Sequence, residues 1–112
     1  MSVLNPKFQM YKSGSDYRYR LRAINGEIIL HGEGYTSKQS CQNGINSVKT
    51  NAPFDSRYDR RVATNSQYYF VLKSTNGEPI GVSETYTTIA ARDNGINAVK
   101  RDAPNAPIED LT

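Results

Sequence analysis

An internal repeat constrains the fold of this chain more than any other feature. Between residues 17 and 53, 17 of the 37 positions are identical to the residue 51 places later, without a gap. The shared segments are Asn25-Gly26-Glu27 with Asn76-Gly77-Glu78, Asn43-Gly44-Ile45-Asn46 with Asn94-Gly95-Ile96-Asn97, and Ala52-Pro53 with Ala103-Pro104. Such self-similarity predicts two copies of one structural unit. We place repeat 1 at about 7–57 and repeat 2 at about 58–111, within a single domain covering 1–112.

Alternating polar and apolar residues predict three strands at the start of each repeat. The inward-facing set of the clearest strand is Tyr17, Tyr19, Leu21 and Ala23 in repeat 1, and Tyr68, Phe70 and Leu72 in repeat 2. Asn-Gly follows in both repeats and predicts a type I′ turn, with positive φ at both central residues. The returning strand is expected at 27–33, and Pro79 in its counterpart predicts an edge or a bulge. An earlier strand is expected at about 8–12 and about 58–63, where we allow for one inserted residue.

The second part of each repeat has the period of a helix. Cys41, Ile45, Val48 and Ala52 form one apolar stripe, so helices are predicted over 37–50 and 88–101. Thr36 and Gln39 have the spacing of a capping box, and Ala-Pro ends the helix. Gly44 and Gly95 are interpreted as allowing a close approach of helix to sheet, because glycine otherwise weakens a helix. Tyr35 and Tyr86 are interpreted as hydrophobic staples before the helices.

Charge and composition narrow the class of protein. The chain carries 14 Lys+Arg and 11 Asp+Glu. Residues 1–53 hold seven basic against three acidic residues, and 54–112 hold seven against eight, so the first half favours an anionic partner. Cys41 is the single cysteine, which excludes an intramolecular disulfide. No apolar run approaches the roughly 20 residues of a membrane span, and no secretory signal is recognisable. These features predict a cytoplasmic protein that does not enter a membrane.

The repeated motifs also resemble a known family. Asn-Gly-Glu, then Tyr-Thr-Ser-Lys, then Asn-Gly-Ile-Asn-Ser-Val-Lys-Thr-Asn-Ala-Pro resembles the YegP-like family of small domains of unknown function. The likeness covers about 8–53 and 58–111, and 106–112 resembles that family's C-terminal strand. The resemblance implies an α+β fold of two tandem β(3)-α-β repeats. It further implies one antiparallel-rich sheet, two helices on one face, pseudo-two-fold symmetry and C-terminal strands exchanged between the repeats. Residues 54–59 would then be the exchanged strand of repeat 1. No activity is established for the family, so no functional residue is transferred.

One surface predicted from the sequence has the chemistry of a binding site. Arg18, Arg20 and Arg22 lie on the outward face of one strand, spaced about 6.5–7 Å apart, and could follow a phosphate backbone. If the equivalent strand lies nearby, Tyr69 and Lys73 would add a stacking surface, as in proteins that bind single-stranded nucleic acids. The alternative is a solvated sheet face, in which the arginine stems cover apolar neighbours such as Ile28 and Leu30.

Catalysis is the least favoured interpretation. His31, the single histidine, aligns with Val82 and is more typical of a structural position, and Cys41 fits the apolar helix stripe. The sequence has no cluster of metal ligands, no phosphate-binding glycine loop and no dinucleotide fingerprint. We therefore predict no catalytic residue, no metal site and no cofactor.

Three hypotheses follow, of which the first is favoured. The protein is a small non-enzymatic binding or interaction module that contacts an anionic or protein partner through its sheet. Alternatively it binds single-stranded nucleic acid through the arginine strand, or it is an enzyme that depends on His31 or Cys41. A chain holding both repeats can complete its own sheet, which favours a monomer, although strand exchange also permits a dimer.

Overall fold

The computed structural model describes residues 6–112. Over these residues the fold is α+β, with seven strands and two helices. The strands are β1 (Lys7–Ser13), β2 (Asp16–Arg22), β3 (Ile28–His31), β4 (Tyr58–Val62), β5 (Tyr68–Lys73), β6 (Pro79–Val82) and β7 (Ile108–Asp110), and the helices are α1 (Lys38–Asn51) and α2 (Ile89–Asp102). Two short 3-10 turns cover Asp55–Arg57 and Ala103–Asn105.

The strands form one mixed sheet in the order β4-β5-β6-β3-β2-β1-β7. Neighbouring strands are antiparallel except for β7, which runs parallel to β1. At the centre of the sheet, β3 meets β6 through the pair His31 and Val82. Pro79 opens β6 beside a register shift, which confirms the predicted bulge in a strand that is not at the edge.

The prediction of an exchanged strand at 54–59 is wrong. Asp55–Arg57 forms a 3-10 turn, and Tyr58 already begins β4, which pairs antiparallel with β5 at the end of the sheet. The chain turns directly into β4 because Tyr58 is anchored there: its ring is buried and its hydroxyl donates to Ala52 O at 2.8 Å. Only the C-terminal strand β7 has the predicted position beside a strand of the other half.

The hydrophobic core lies between one face of the sheet and the two helices. Cys41, Ile45, Val48 and Ala52 are fully buried, as the apolar stripe predicts. Strand side chains complete the core, with Phe8, Met10, Tyr19, Leu21, Leu30, Phe70 and Leu72 all fully buried. Burial of this apolar surface is the main stabilising contribution to a domain of this size.

Both helices begin one residue later than the capping box predicts. The N-cap of α1 is Ser37, whose hydroxyl accepts from the Ser40 amide at 3.1 Å, and Gln39 bonds to Asn43 instead. The N-cap of α2 is Thr88, which accepts from Ala91 in the same way. Two hydroxyl residues stand side by side before each helix, and the second of them has the extended backbone that an N-cap requires.

The Asn-Gly corners are not type I′ turns. Gly26 has φ of 86° and Gly77 has φ of 84°, but neither preceding asparagine has positive φ. Ala23 O accepts from Gly26 N, and Ala23 N donates to Glu27 O. This is a type I turn followed by a glycine bulge, the common form for a longer hairpin loop. A register shift at Leu21/Arg22 accommodates the extra residue.

Candidate binding face

The face of the sheet opposite the helices, called here the open face, carries the candidate residues. A single row of paired residues crosses all seven strands on this face: Glu109, Gln9, Arg20, His31, Val82, Val71 and Asp59. Arg18 and Arg22 flank this row on β2, because side chains on a strand return to the same face every second residue. The predicted outward direction of the three arginines is therefore correct.

Gln9 orders two of the arginines. Its side-chain oxygen accepts from Arg20 Nε at 2.8 Å and from Arg22 Nε at 2.7 Å, and only 8% of the residue is exposed. Arg22 Nη1 also donates to Gly26 O at 2.7 Å. A charged donor makes each of these bonds stronger than a bond between neutral groups. The two guanidinium groups are thus held in fixed positions on the sheet.

The network continues to both sides of Gln9. Its amide nitrogen donates to Glu109 Oε1 at 2.7 Å, and Lys7 Nζ lies 3.2 Å from the same oxygen. The hydrogen bond from Gln9, followed by the one from Lys7, lowers the pKa of Glu109. On β1, the ring of Tyr11 lies under the Arg20 guanidinium, 4.5 Å from ring centre to carbon, which is a cation–π contact.

Arg18 is held less firmly than its neighbours. Its guanidinium lies 3.9 Å from Asp16, and about two fifths of each side chain is exposed, at 40% and 43%. An exposed pair at this distance contributes little to stability. Arg18 therefore provides a positive charge that is free to reorient at the end of the row.

The sheet order separates Tyr69 and Lys73 from the arginines. Both lie on β5, and β6 and β3 stand between β5 and β2, a separation of about 14 Å. Lys73 is paired with Asp59 at 3.3 Å, and Arg61 is paired with the same carboxylate at 2.8 Å. Hydrogen bonding to Arg61 is the largest cause of the lowered pKa of Asp59. The structure brings Arg18, Arg20 and Arg22 together, and it places Tyr69 and Lys73 in a second group that is already paired with an acid.

Sequence reasoning missed Gln9, the residue that orders the arginines of this face. Gln9 lies between Phe8 and Met10, both fully buried, so strand alternation alone directs it to the open face. Its pairing with Arg20 could not be predicted, because it depends on the register of β1 against β2. Tyr11 was missed for the same reason.

Comparison with known proteins identifies the family. The model of a domain of unknown function, DUF1508, matches residues 9–59 and again residues 63–110. The chain belongs to the DUF1508 family. A UPF0339 protein of Bordetella pertussis is 53% identical over 105 residues, covering 94% of this chain and 95% of that protein. The UPF0339 protein YegP of Yersinia pestis is 47% identical over 112 residues, covering 100% and 99%.

Solved structures of DUF1508 relatives have the same fold. The solution structure of a UPF0339 protein from Shewanella oneidensis superimposes with a TM-score of 0.90 at 43% identity, covering 96% of this chain and 92% of that one. The solution structure of YegP from E. coli, described as a protein of unknown function, gives a TM-score of 0.91 at 39% identity, covering 100% and 97%. The predicted YegP-like membership and the α+β fold are confirmed. None of these relatives indicates a catalytic family.

The two potential catalytic side chains of this DUF1508 chain lie apart from each other. His31 is on the open face with its Nε2 2.6 Å from Glu84 Oε1, whereas Cys41 is fully buried among the helix core residues. Burial raises the pKa of the Cys41 thiol, which keeps it protonated and unreactive. Within residues 6–112, no three His, Cys, Asp or Glu side chains are grouped as metal ligands. Over the same residues, no helix has the length and apolar character needed to cross a membrane.

Proposed function

We propose that this protein is a non-enzymatic binding module whose open face recognises an extended anionic partner. The observation that carries the proposal is the fixing of Arg20 and Arg22 by one buried glutamine side chain. A guanidinium that is already ordered loses less conformational entropy when it binds. Residues that serve only to keep a sheet soluble need no such ordering.

The free atoms of the arginines suit an oxyanion. Both Nε atoms are turned towards Gln9, and among the described contacts Arg20 uses neither of its Nη nitrogens. These nitrogens can form paired hydrogen bonds to a carboxylate or a phosphate. Arg18 extends the charge along β2, so an extended polyanion can contact successive arginines about 6.5–7 Å apart.

A single-stranded nucleic acid is the second candidate partner. It needs aromatic surface for base stacking as well as basic charge. Tyr11 supplies a ring beside Arg20, whereas Tyr69 and Lys73 lie across two strands. Fewer residues therefore support a nucleic-acid partner than a general polyanion. One experiment can distinguish the two partners.

We further infer that the chain is one domain of two tandem repeats related by pseudo-two-fold symmetry. Three observations support this. The bounds of β3 and β6, and of α1 and α2, are offset by 51 residues. The central pair joins His31 to Val82, which are themselves 51 positions apart. The family model matches the chain twice. We also propose that the protein is cytoplasmic, as the single buried thiol suggests, and that it is a monomer.

The binding proposal is tested by anisotropy titration with two labelled probes, a polyglutamate peptide and an oligothymidylate. At about 20 mM salt, where charges are weakly screened, the wild type should bind the polyglutamate. Arg18→Ala/Arg20→Ala/Arg22→Ala should weaken this binding by about tenfold or more. Arg57→Ala/Arg60→Ala/Arg61→Ala is the matched control, because it removes the same charge from β4 and the turn before it, at the far end of the sheet, and should change affinity much less.

The outcomes of the titration test the binding proposal and distinguish the two candidate partners. Absence of binding to both probes at low salt overturns the proposal. Equal weakening by the two triple variants also overturns it, because binding would then follow net charge rather than the open face. Binding to oligothymidylate at least about tenfold tighter than to polyglutamate would favour the nucleic-acid candidate.

A further inference from the structure

A cleft separates the β2–β3 connection from helix α2, and its lining includes none of the three arginines of β2. It has a volume of about 300 Å³, and its walls include Ala23, Ile24 and Ile29 on one side and Ala91 and Ala98 on the other. Tyr86 also lines the cleft. Ile24 is 56% exposed, which is high for an aliphatic residue. A concave site with mainly apolar walls is typical of small-molecule binding.

The chain contains its own comparison for this cleft. The residues 51 positions away from Ala23, Ile24, Ala91 and Ala98 are Ser74, Thr75, Ser40 and Ser47 respectively. Each of the four apolar residues thus has a hydroxyl-bearing counterpart on the equivalent hairpin or helix. The fold therefore tolerates polar side chains at these four positions, and its backbone does not require apolar ones there. Apolar residues at cleft positions where the fold does not require them would suit the apolar part of a ligand.

The charged groups around the cleft favour a cation. A neighbouring depression of about 510 Å³ shares Glu27 and Tyr86 with the cleft and is also lined by Arg22 and Glu84. Arg22 is bonded to Gln9 and Gly26, and Arg101, which lines the cleft, is bonded to Asp102 at 2.8 Å. Glu84 is paired with His31.

Glu27 is the acidic group left for a ligand. Among residues 6–112, no Lys, Arg or His nitrogen lies within 4.0 Å of its carboxylate. Burial, followed by the charges of Glu84 and Glu27, raises the pKa of Tyr86, in agreement with two carboxylates near this side chain. The charge of Arg101 is thus paired with Asp102, the guanidinium of Arg22 is turned towards Gln9 and Gly26, and an unpaired carboxylate stands at the rim.

We propose that this cleft binds a small organic cation with an apolar body, the ammonium group at Glu27 and the hydrocarbon against Ile24, Ala91 and Ala98. The proposal is independent of polyanion binding on the open face. Because the cleft is open and its carboxylate is exposed, we expect a dissociation constant on the order of 1 mM for a ligand of about ten heavy atoms.

The test is a titration of the ¹⁵N-labelled protein with phenethylammonium chloride, followed by amide chemical shifts. We expect saturable shifts at Ile24, Ala91 and Ala98, and binding at least about fivefold weaker for the neutral analogue 2-phenylethanol. Glu27→Gln should weaken binding of the ammonium to the level of the alcohol. Glu78→Gln, 51 residues later, is the matched control and should leave binding unchanged.

A second variant tests the apolar wall. Ile24→Thr/Ala91→Ser/Ala98→Ser gives the cleft the side chains of its counterpart and should abolish saturable binding, while the dispersed amide spectrum shows that the protein is folded. The proposal is overturned if phenethylammonium causes no saturable shifts, if the alcohol binds equally well, or if Glu27→Gln has no effect. Equal shifts at Ser40 and Ser47 would overturn it as well.

Discussion

Gly95 lies directly beneath the phenol of Tyr86, where an added β-carbon would stand 2.5 Å from the tyrosine hydroxyl. Gly44 has the same relationship to Tyr35. Each tyrosine precedes its helix and forms an isolated β-bridge to a strand residue. Tyr86 pairs with Tyr68 of β5, and Tyr35 pairs with Tyr17 of β2.

We predicted that these glycines allow helix and sheet to approach closely. The group that comes close is the side chain of a tyrosine bridged to the sheet, and at Gly95 the ring of Phe70 on β5 would also lie 3.3 Å from an added β-carbon. Neither tyrosine forms a hydrophobic staple, which would contact the first turn of its helix. Each instead contacts a glycine about two turns after the helix begins.

The first prediction concerns this contact. Gly95→Ala should lower the free energy of unfolding by about 1–3 kcal/mol, because overpacking against Tyr86 outweighs a helix-propensity gain of about 1 kcal/mol. Urea denaturation measures the change. In a Tyr86→Ala background the same substitution should stabilise the protein, since the obstacle is gone. Stabilisation by Gly95→Ala in the wild-type background would contradict the contact.

The second prediction concerns the orientation of the arginines. Gln9→Leu keeps all three arginines of β2 but removes the acceptor for Arg20 and Arg22. We expect polyglutamate affinity to fall by about threefold to tenfold, because the guanidinium groups must then be ordered on binding. Gln39→Leu, on an exposed helix position, is the control. Unchanged affinity in Gln9→Leu would show that ordering by Gln9 has no part in recognition.

The third prediction concerns acid stability. Bonds to Lys100 and Arg60 lower the pKa of Asp55 from 3.8 to about 2, and bonds to Lys38 and Thr112 lower that of Asp110 from 3.8 to about 2. Because ionisation is easier in the folded state, the stabilising contribution is complete above the unfolded pKa and is lost as pH falls from about 4 to about 2.

Urea denaturation between pH 2 and pH 6 tests this linkage. Asp55→Asn should reduce the loss of stability on acidification, and the difference from the wild type should shrink in about 1 M salt, since both carboxylates are exposed. An acid limb identical in the wild type and in Asp55→Asn would contradict the assignment.

The fourth prediction concerns a hydrogen bond across the middle of the molecule. The hydroxyl of Tyr19, whose ring is fully buried, donates to the carbonyl of Ile80 on β6. Tyr19→Phe should cost about 1–2 kcal/mol, because the partly buried Ile80 carbonyl loses its partner. Tyr11→Phe removes a hydroxyl from the open face and should cost less than about 0.5 kcal/mol. Equal effects of the two substitutions in thermal or urea unfolding would argue against the bond.

The elements of the fold could be predicted because local pattern and tertiary packing agree. The stripe from Cys41 to Ala52 places α1 to within one residue, and alternation places β2 and β5. We allowed for one inserted residue near the first strand of either predicted copy. Lys12 pairs with Tyr17, whereas Val62 pairs with Tyr68, so the second connection is one residue longer.

Strand order and turn form could not be predicted from local pattern. Placing Tyr69 near Arg20 assumes that β5 lies beside β2, but the two halves meet through β3 and β6. The Asn25-Gly26 pair is compatible with two turn types, and the bulge at Leu21/Arg22, a property of the β2–β3 register, selects the one observed.

The sequence predicts which charged side chains lie on the candidate face, but not the hydrogen bonds that hold them in position. Alternation is enough to direct Arg18, Arg20 and Arg22 outwards. The hydrogen bonds of Gln9 depend on the β1–β2 register, and those of Glu109 depend on β7 lying beside β1, which joins residues 100 positions apart. Such distant pairings leave no periodic signal in the sequence.

The short pairing between β3 and β6 has a consequence for fragments of this chain. This strand pairing is limited to His31 and Val82, while α1 packs against β6 and α2 against β3. Cohesion between the halves thus comes from side-chain packing, such as Leu30 against the backbone of Gly81, and from the pairing of β7 with β1 at one end of the sheet. A cut in the peptide chain near Asp55 should therefore yield two fragments that recombine into the native shape when mixed.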